Sequence, residues 1–193
     1  MKKESPFLKA SSLVFLLLLI CGCQSKQKES ALPLLNSEGV VFDSSEWKQN
    51  KGSVLIFLSP ECPLCQSYSL TIRNLQAQFE KDGIKFYGVI PDKRFSNSEV
   101  NAFKTKYELN IPLLRDNEKR LTHQFKATIT PEAFLLDNKG NIRYSGRIDN
   151  WMYEVGKKRT VITEHDLEYA IKAFLSNYKF KSHHSQAIGC FIE

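Results

Sequence analysis

The sequence predicts a three-layer α/β domain around a mixed central sheet, and three observations carry that expectation. Two nearly continuous apolar runs of strand length, residues 53–58 and 84–90, suit strands covered on both faces. Segments of helical period alternate with the strands. A hairpin and a last amphipathic helix close the series, giving the order β-α-β-α-β-α-β-β-α of helices laid over a sheet.

Taken in order, the run Ser-Val-Leu-Ile-Phe-Leu at 53–58 is broken by Ser59-Pro60. From Pro63 a helix is predicted, with Leu64, Leu70, Ile72, Leu75 and Phe79 near helical spacing and Lys81-Asp82-Gly83 as its stop. The second buried strand follows at 84–90. Ser96 with Glu99 three residues on is a capping box, opening a helix that runs to about Tyr107. A short strand is expected at 111–114 and a short helix at 117–126. Residues 133–137 and 142–145, joined by Asn138-Lys-Gly-Asn141, form a hairpin. Thr163 is the expected cap of the last helix, 164–178, whose stripe is Leu167, Ile171, Phe174 and Leu175. Residues 147–160 lack periodicity and are expected to be an inserted loop. No internal repeat is present.

The chain has 193 residues with 42% hydrophobic and 25% charged positions, room for one domain with its own core. That apolar content excludes a disordered chain, and one long apolar run excludes a polytopic membrane protein. The long run lies at the start: Lys2, Lys3 and Lys9 precede an apolar stretch at 13–20, then Cys21-Gly22-Cys23. This is the layout of a secretory signal, with an apolar part shorter than the ~20 residues of a membrane span. Its ending resembles a bacterial lipobox, which implies cleavage after residue 22 and lipid on Cys23. The expected organisation is a lipoprotein signal peptide at 1–22, a polar tether at 23–36, the folded domain at 37–178 and a C-terminal tail at 179–193. The expected location is outside the cytoplasm, lipid-anchored to a bacterial membrane and facing the periplasm.

Removing residues 1–22 takes away three basic residues and one acidic, so the charge of +6 falls to +4. The remaining basic residues are scattered, Lys157-Lys158-Arg159 being the densest patch, which gives a nucleic-acid role little support. Of five cysteines, Cys62, Cys65 and Cys190 then remain in the domain and tail. A disulfide framework would use an even set; a close pair and a distant third suggest redox chemistry.

The chemistry-bearing motif is Cys62-Pro63-Leu64-Cys65, placed where a buried strand gives way to a helix. Unpaired N–H groups and the macrodipole at a helix start favour a thiolate there. Pro63 suits the first turn, where its missing N–H costs nothing. Two intervening residues let the second sulfur reach the first, so Cys62 is the predicted nucleophile and Cys65 the resolving, more buried thiol. A structural disulfide would close too small a loop to stabilise much. Half a zinc site is the other alternative, and it would need His183, His184 and Cys190 to complete it.

Residues 54–65, Thr130-Pro131 and residues 133–140 resemble the thioredoxin superfamily, over about residues 33–178. The resemblance implies a thioredoxin-like α/β/α sandwich, with Pro131 as the cis-proline facing the cysteine pair and Thr130 before it, their backbone receiving a substrate chain. Within the superfamily the sequence looks closest to exported, membrane-tethered thiol–disulfide oxidoreductases of the TlpA/ResA type and to redoxins of the AhpC/TSA kind. That implies protein thiol or disulfide substrates, apocytochrome c among them, a thiol electron donor, and no cofactor or metal. An extra N-terminal strand is expected near 39–43, and an insertion at 91–114. Two departures stand out. Glu61 occupies the place of the usual tryptophan, where a carboxylate would oppose the helix dipole or accept a proton. The ending Gly189-Cys190-Phe-Ile192 resembles a redoxin-like subgroup ending in Gly-Cys-x-Ile, which makes Cys190 a candidate auxiliary resolving or relay thiol.

Two rival functions follow from other resemblances. Peroxiredoxins resemble this fold and carry Pro-x-x-x-Thr/Ser-x-x-Cys; Ser59 and Cys62 match half of it, Leu55 holds the proline position, and Arg147, with Arg143 as second choice, is the candidate peroxide-orienting arginine. A Sco-like copper chaperone would draw on soft thiolates and His183-His184.

Overall fold

The computed structural model describes residues 33–176 and 183–193. Cys23, the signal segment and most of the tether lie outside the described residues. Among the described residues no helix is long and apolar enough to cross a membrane.

An eight-stranded sheet organises the chain. Its strands are β1 (Pro33–Asn36), β2 (Val41–Asp43), β3 (Gly52–Phe57), β4 (Ile84–Ile90), β5 (Leu113–Arg115), β7 (Glu132–Asp137), β8 (Ile142–Gly146) and β11 (His183–His184). They lie in the order β11-β8-β7-β3-β4-β5-β1-β2. β3, β4 and β5 are mutually parallel, whereas β7 runs antiparallel to β3 and β8 antiparallel to β7, so the sheet is mixed. Short β6 (Ile129–Thr130), β9 (Met152–Glu154), β10 (Lys157–Lys158) and β12 (Cys190–Phe191) make two further two-stranded ladders, β9 with β10 and β6 with β12.

The continuous apolar runs have a simple cause. Strand side chains alternate between faces, and here both faces are covered. Val54 and Ile56 join a core with α1 (Pro63–Phe79), α2 (Asn97–Lys106) and α4 (Asp166–Leu175). Leu55 and Phe57 face a second core with α3 (Arg120–Phe125) and Trp47 of the 3-10 turn Ser44–Gln49. The result is the three-layer α/β sandwich of the thioredoxin-like fold.

Local signals explain most boundaries. The capping box forms: Ser96 N–H donates to Glu99 Oε2 at 2.7 Å, and Glu99 N–H donates to Ser96 Oγ at 3.2 Å. Gly83, at φ +86°, takes the left-handed conformation that turns the chain from α1 into β4. Asp137 ties the hairpin turn by accepting the N–H groups of Lys139 and Asn141, each at 2.9 Å.

Other expectations are corrected. Residues 33–36 are not tether: β1 pairs with both β2 and β5, and the fold begins no later than Pro33. Leu70 is 57% exposed, off the stripe of α1. Thr163 caps no helix; its hydroxyl accepts from Asn150 Nδ2 at 2.7 Å, and α4 starts at Asp166. The helix expected from 117 is the shorter α3, held at its start by buried Asp116, which accepts the N–H groups of Leu121 and Thr122. The loop 147–160 contains the β9–β10 hairpin. Residues 183–193 are not a free tail either. β11 extends the sheet beside β8, the Tyr144 and Ser185 hydroxyls are 2.6 Å apart, and Ala187 is buried.

Candidate active site

The site forms where β3 delivers the chain to α1. Leu58 N–H still donates to Val89 O at 2.8 Å, after which Ser59-Pro60 releases the strand and the helix begins at Pro63. Cys62 is the N-cap residue, extended at φ −75°, ψ 115°, so its sulfur lies at the mouth of a 17-residue helix. Cys65, one turn in, is fully buried, and its Sγ accepts Ser59 N–H at 3.4 Å.

Opposite stands the Thr130–Pro131 bond, which is cis. Cys62 Sγ lies 3.2 Å from the Thr130 carbonyl oxygen, to which the protonated thiol donates. The cysteine pair and the cis-proline strand are thus brought together as the sequence led one to expect.

Cys190 completes the cluster. β12 runs antiparallel to β6 with Cys190 opposite Thr130 and Phe191 opposite Ile129. Ile192 N–H donates to Thr128 O at 2.9 Å, and Thr130 Oγ1 donates to Cys190 O at 3.4 Å. Cys190 Sγ consequently lies 2.6 Å from Cys62 Sγ, and all three cysteines are free of disulfides.

The environments of the three sulfurs push their acidities apart. The Cys62 thiol is lowered from 9.0 to about 5. Its thiolate accepts a hydrogen bond from Cys65 first of all, which overcomes the opposing burial, with Cys190 and Thr130 adding to the effect. Cys65 is raised well above the ordinary thiol range by burial and by the neighbouring Cys62 charge. Cys190 is pushed up to about 12 by burial and by that same charge. Pairs of titratable groups driven apart in this way are the physical signature of divided roles.

A cleft of about 170 Å³ opens over Cys62, walled by Pro91, Asp92 and Arg94 on one side and by Thr130 and Phe191 on another. It is smaller than the ~300–1,000 Å³ of small-molecule sites. Glu61 is exposed at its rim.

Arg147 is not brought to Cys62, correcting its candidate role there. Its guanidinium is held by Asp166 at 2.8 Å and by Glu164, and it lines a separate small cavity with Pro131 and Tyr68. The arginine on the cleft is Arg94, paired with Asp92 at 2.7 Å. Behind that wall lies buried Arg115, whose Nη2 donates to Phe95 O at 2.5 Å and whose Nη1 reaches Ser96 O at 3.3 Å. Neither Arg94 nor Arg115 was marked by a motif; an arginine closing an otherwise apolar strand (Leu113-Leu114-Arg115) was the available signal. His183 and His184 stand in β11, and among the described residues no three His, Cys, Asp or Glu side chains gather in a metal-holding arrangement.

Solved structures share the fold. A hypothetical protein from Sinorhizobium meliloti superposes with a TM-score of 0.74 at 23% identity, over 84% of this chain and 90% of that one. An uncharacterized conserved protein from Geobacillus kaustophilus gives 0.73 at 18%, over 84% and 88%. A secreted Mycobacterium tuberculosis disulfide oxidoreductase homologous to E. coli DsbE gives 0.54 at 16%, over 76% and 96%. No curated protein sequence matches the chain. The AhpC/TSA family matches residues 25–145, more than half of the 193. A match of that extent on a thioredoxin-like fold decides the kinship: the chain belongs to the AhpC/TSA family.

Proposed function

We propose that the chain is a thiol–disulfide oxidoreductase acting on protein substrates, with Cys62 the attacking thiol and Cys65 the resolving one. The observation that carries this reading is the acidified Cys62 sulfur at the head of α1, 3.2 Å from the Thr130 carbonyl and with Cys65 buried beneath it. At neutral pH Cys62 is a thiolate, the species that attacks a disulfide. Attack on a substrate disulfide forms a mixed disulfide at Cys62 and releases one substrate thiol. Cys65 then attacks Cys62 Sγ, the second substrate thiol departs, and Cys62–Cys65 is left oxidised. An oxidised chain runs the same steps in reverse on a dithiol. Thr130 and Pro131 border the sulfur and are placed to hold the substrate chain. The small open cleft favours a cysteine on another polypeptide over an enclosed small molecule.

The cellular setting belongs to the same proposal. The basic, apolar and Cys21-Gly22-Cys23 segments support export with a lipid on Cys23, and the secreted disulfide oxidoreductase of M. tuberculosis has a comparable fold. Apocytochrome c cysteines are one substrate class consistent with such a place, with a thiol donor supplying electrons.

Trapping tests the reading. Cys65→Ser combined with Cys190→Ser should accumulate a mixed disulfide between Cys62 and a cysteine of disulfide-bonded insulin, and Cys62→Ser should abolish insulin reduction. Retained insulin reduction by Cys62→Ser would refute it. Rapid consumption of hydrogen peroxide, matching the disulfide rate, would instead favour a peroxidase.

A further inference from the structure

The oxidoreductase reading uses two cysteines, yet three sulfurs meet at the site. Cys190 comes from 128 residues away, and its approach is built rather than incidental. The segment is fixed at one end by Ser185, whose N–H donates to Ser145 O at 3.0 Å and whose hydroxyl meets Tyr144. Ala187 is buried, Ile188 and Cys190 pack on the first core, and Ile192 packs on the second. Ladder bonds to β6 fix the register. Gly189 is the residue this approach demands: a Cβ there would overlap the Thr130 carbonyl. Only a residue without a side chain lets β12 lie so close to the strand before Pro131.

Access points the same way. Cys62 is 2% exposed and Cys65 0%, whereas Cys190 is partly open to solvent. An external thiol therefore reaches Cys190 before either sulfur of the Cys-Pro-Leu-Cys pair.

We infer that Cys190 is a third redox-active thiol of this site, exchanging into a Cys62–Cys190 disulfide and receiving the electrons of an external dithiol reductant. This rests on Cys62 being the redox centre. In the oxidised chain the Cys190 thiolate attacks Cys62 Sγ. The Cys62–Cys65 bond breaks, the Cys62–Cys190 bond forms, and the proton lost by Cys190 ends on Cys65; no electrons enter or leave. The dithiol then attacks Cys190 Sγ, and Cys62 departs as a thiolate. The donor's second thiol releases Cys190 and closes the donor's own disulfide. The donor loses two electrons, and all three cysteines end reduced. The leaving event in the donor's attack on Cys190 suits the sulfur concerned. Cys62 is the acidic leaving group, and once it is in a disulfide it no longer carries the charge that suppresses ionisation of Cys190.

The test uses the full-length chain. It is oxidised with diamide, blocked with N-ethylmaleimide, digested, and mapped by mass spectrometry without reduction. A Cys62–Cys190 peptide is expected beside Cys62–Cys65, and as the sole intramolecular link in Cys65→Ser. Gly189→Val keeps the thiol but should lose the Cys62–Cys190 link. In stopped flow, reduction of the oxidised chain by dithiothreitol should slow about tenfold in Cys190→Ser, because the remaining disulfide is buried. Cys190 fully alkylated at every degree of oxidation, or a Cys190→Ser chain reduced as fast as wild type, overturns the inference. Neither result touches the Cys62 reading, which fails only if Cys62→Ser retains insulin reduction.

Discussion

The Tyr68 hydroxyl donates a 2.7 Å hydrogen bond to Asp149 Oδ1, joining α1 to the loop after β8, with both side chains buried. Asp149 Oδ1 also accepts Trp151 N–H at 2.8 Å, and the Tyr68 and Trp151 rings meet edge to face at 5.5 Å. Pro131 and Ile188 line the same small cavity, so this bond braces the back of the redox site. Tyr68→Phe keeps the ring and removes the donor from a buried carboxylate. The expected loss is about 1.5–3 kcal/mol, the range for hydrogen bonds to charged groups. Urea unfolding of the reduced chain reads it, and an unchanged midpoint would show that the bond contributes nothing.

The order of influences on Cys62 is open to direct titration. Thiolate absorbance near 240 nm in the reduced chain should rise with a midpoint near pH 5. Cys65→Ala removes the largest stabilising bond to the thiolate and should move the midpoint up the most. Cys190→Ala should move it up less, by about one pH unit for a bond of this kind. Because both changes destabilise the reduced form, Cys190→Ala should also make the Cys62–Cys65 couple more reducing. A larger effect from Cys190 than from Cys65 would reverse the assigned order.

Stability of the reduced chain should follow these thiols. Between about pH 5 and 9 the folded chain holds Cys62 ionised while the unfolded chain holds it protonated, so the unfolded state binds more protons and stability rises with pH. Above 9 the relation inverts. Cys65 and Cys190 stay protonated when folded and ionise when unfolded, so stability falls. Cys62→Ser should flatten the rising limb of urea midpoint against pH, and oxidation of the pair should do the same. A rising limb undiminished in Cys62→Ser would place its origin elsewhere.

Most of the sheet and half of the site could be read along the chain because their signals are local. Ser53 to Leu58 is apolar at nearly every position since both faces of β3 are buried, and Cys62-Pro63 marks a helix start by its own chemistry. The Ser96–Glu99 box is a contact between near neighbours. What stayed hidden depends on distant partners. Leu34-Leu35 becomes a strand because β2 and β5 flank it, and two-residue strands such as β11 and β12 are too short to show a period. Thr163 has the composition of a cap, yet Asn150 claims its hydroxyl. The ending Gly-Cys-x-Ile showed that Cys190 belonged to a pattern; only the β6–β12 register shows which sulfur it meets.

Arg147 separates the peroxidase reading from the disulfide one. Its two carboxylate partners, Asp166 and Glu164, hold it against the start of α4 and away from the cleft over Cys62. Arg147→Ala should lower stability by about 1 kcal/mol, as for a partly exposed ion pair, and leave the Cys62 midpoint and insulin reduction unchanged. A large loss of peroxide turnover in this variant, with thiol exchange intact, would restore it as a peroxide-orienting residue.

Arg115 is the positioning residue behind the cleft. It is 6% exposed at the end of β5, and its fork donates to the carbonyls of Phe95 at 2.5 Å, Ser96 at 3.3 Å and Asp92 at 3.4 Å, and to Asn117 Oδ1 at 3.1 Å. These bonds gather residues 92–96 into the turn whose Asp92 and Arg94 wall the Cys62 site. Arg115→Met keeps much of the volume but takes this donor from the buried Phe95 carbonyl, a loss of about 1–3 kcal/mol. The variant should unfold at distinctly lower urea, and its amides at 92–96 should exchange faster with solvent than those of β3. Lysine supplies a point charge without the planar fork, so Arg115→Lys should recover only part of the loss. Because residues 92–96 line the cleft and are not among the groups that lower the Cys62 thiol, the Cys62–Cys65 distance and the thiolate midpoint should stay near wild type while the rate of mixed-disulfide formation falls. Equal exchange rates at 92–96 in Arg115→Met and wild type would show that the turn holds itself.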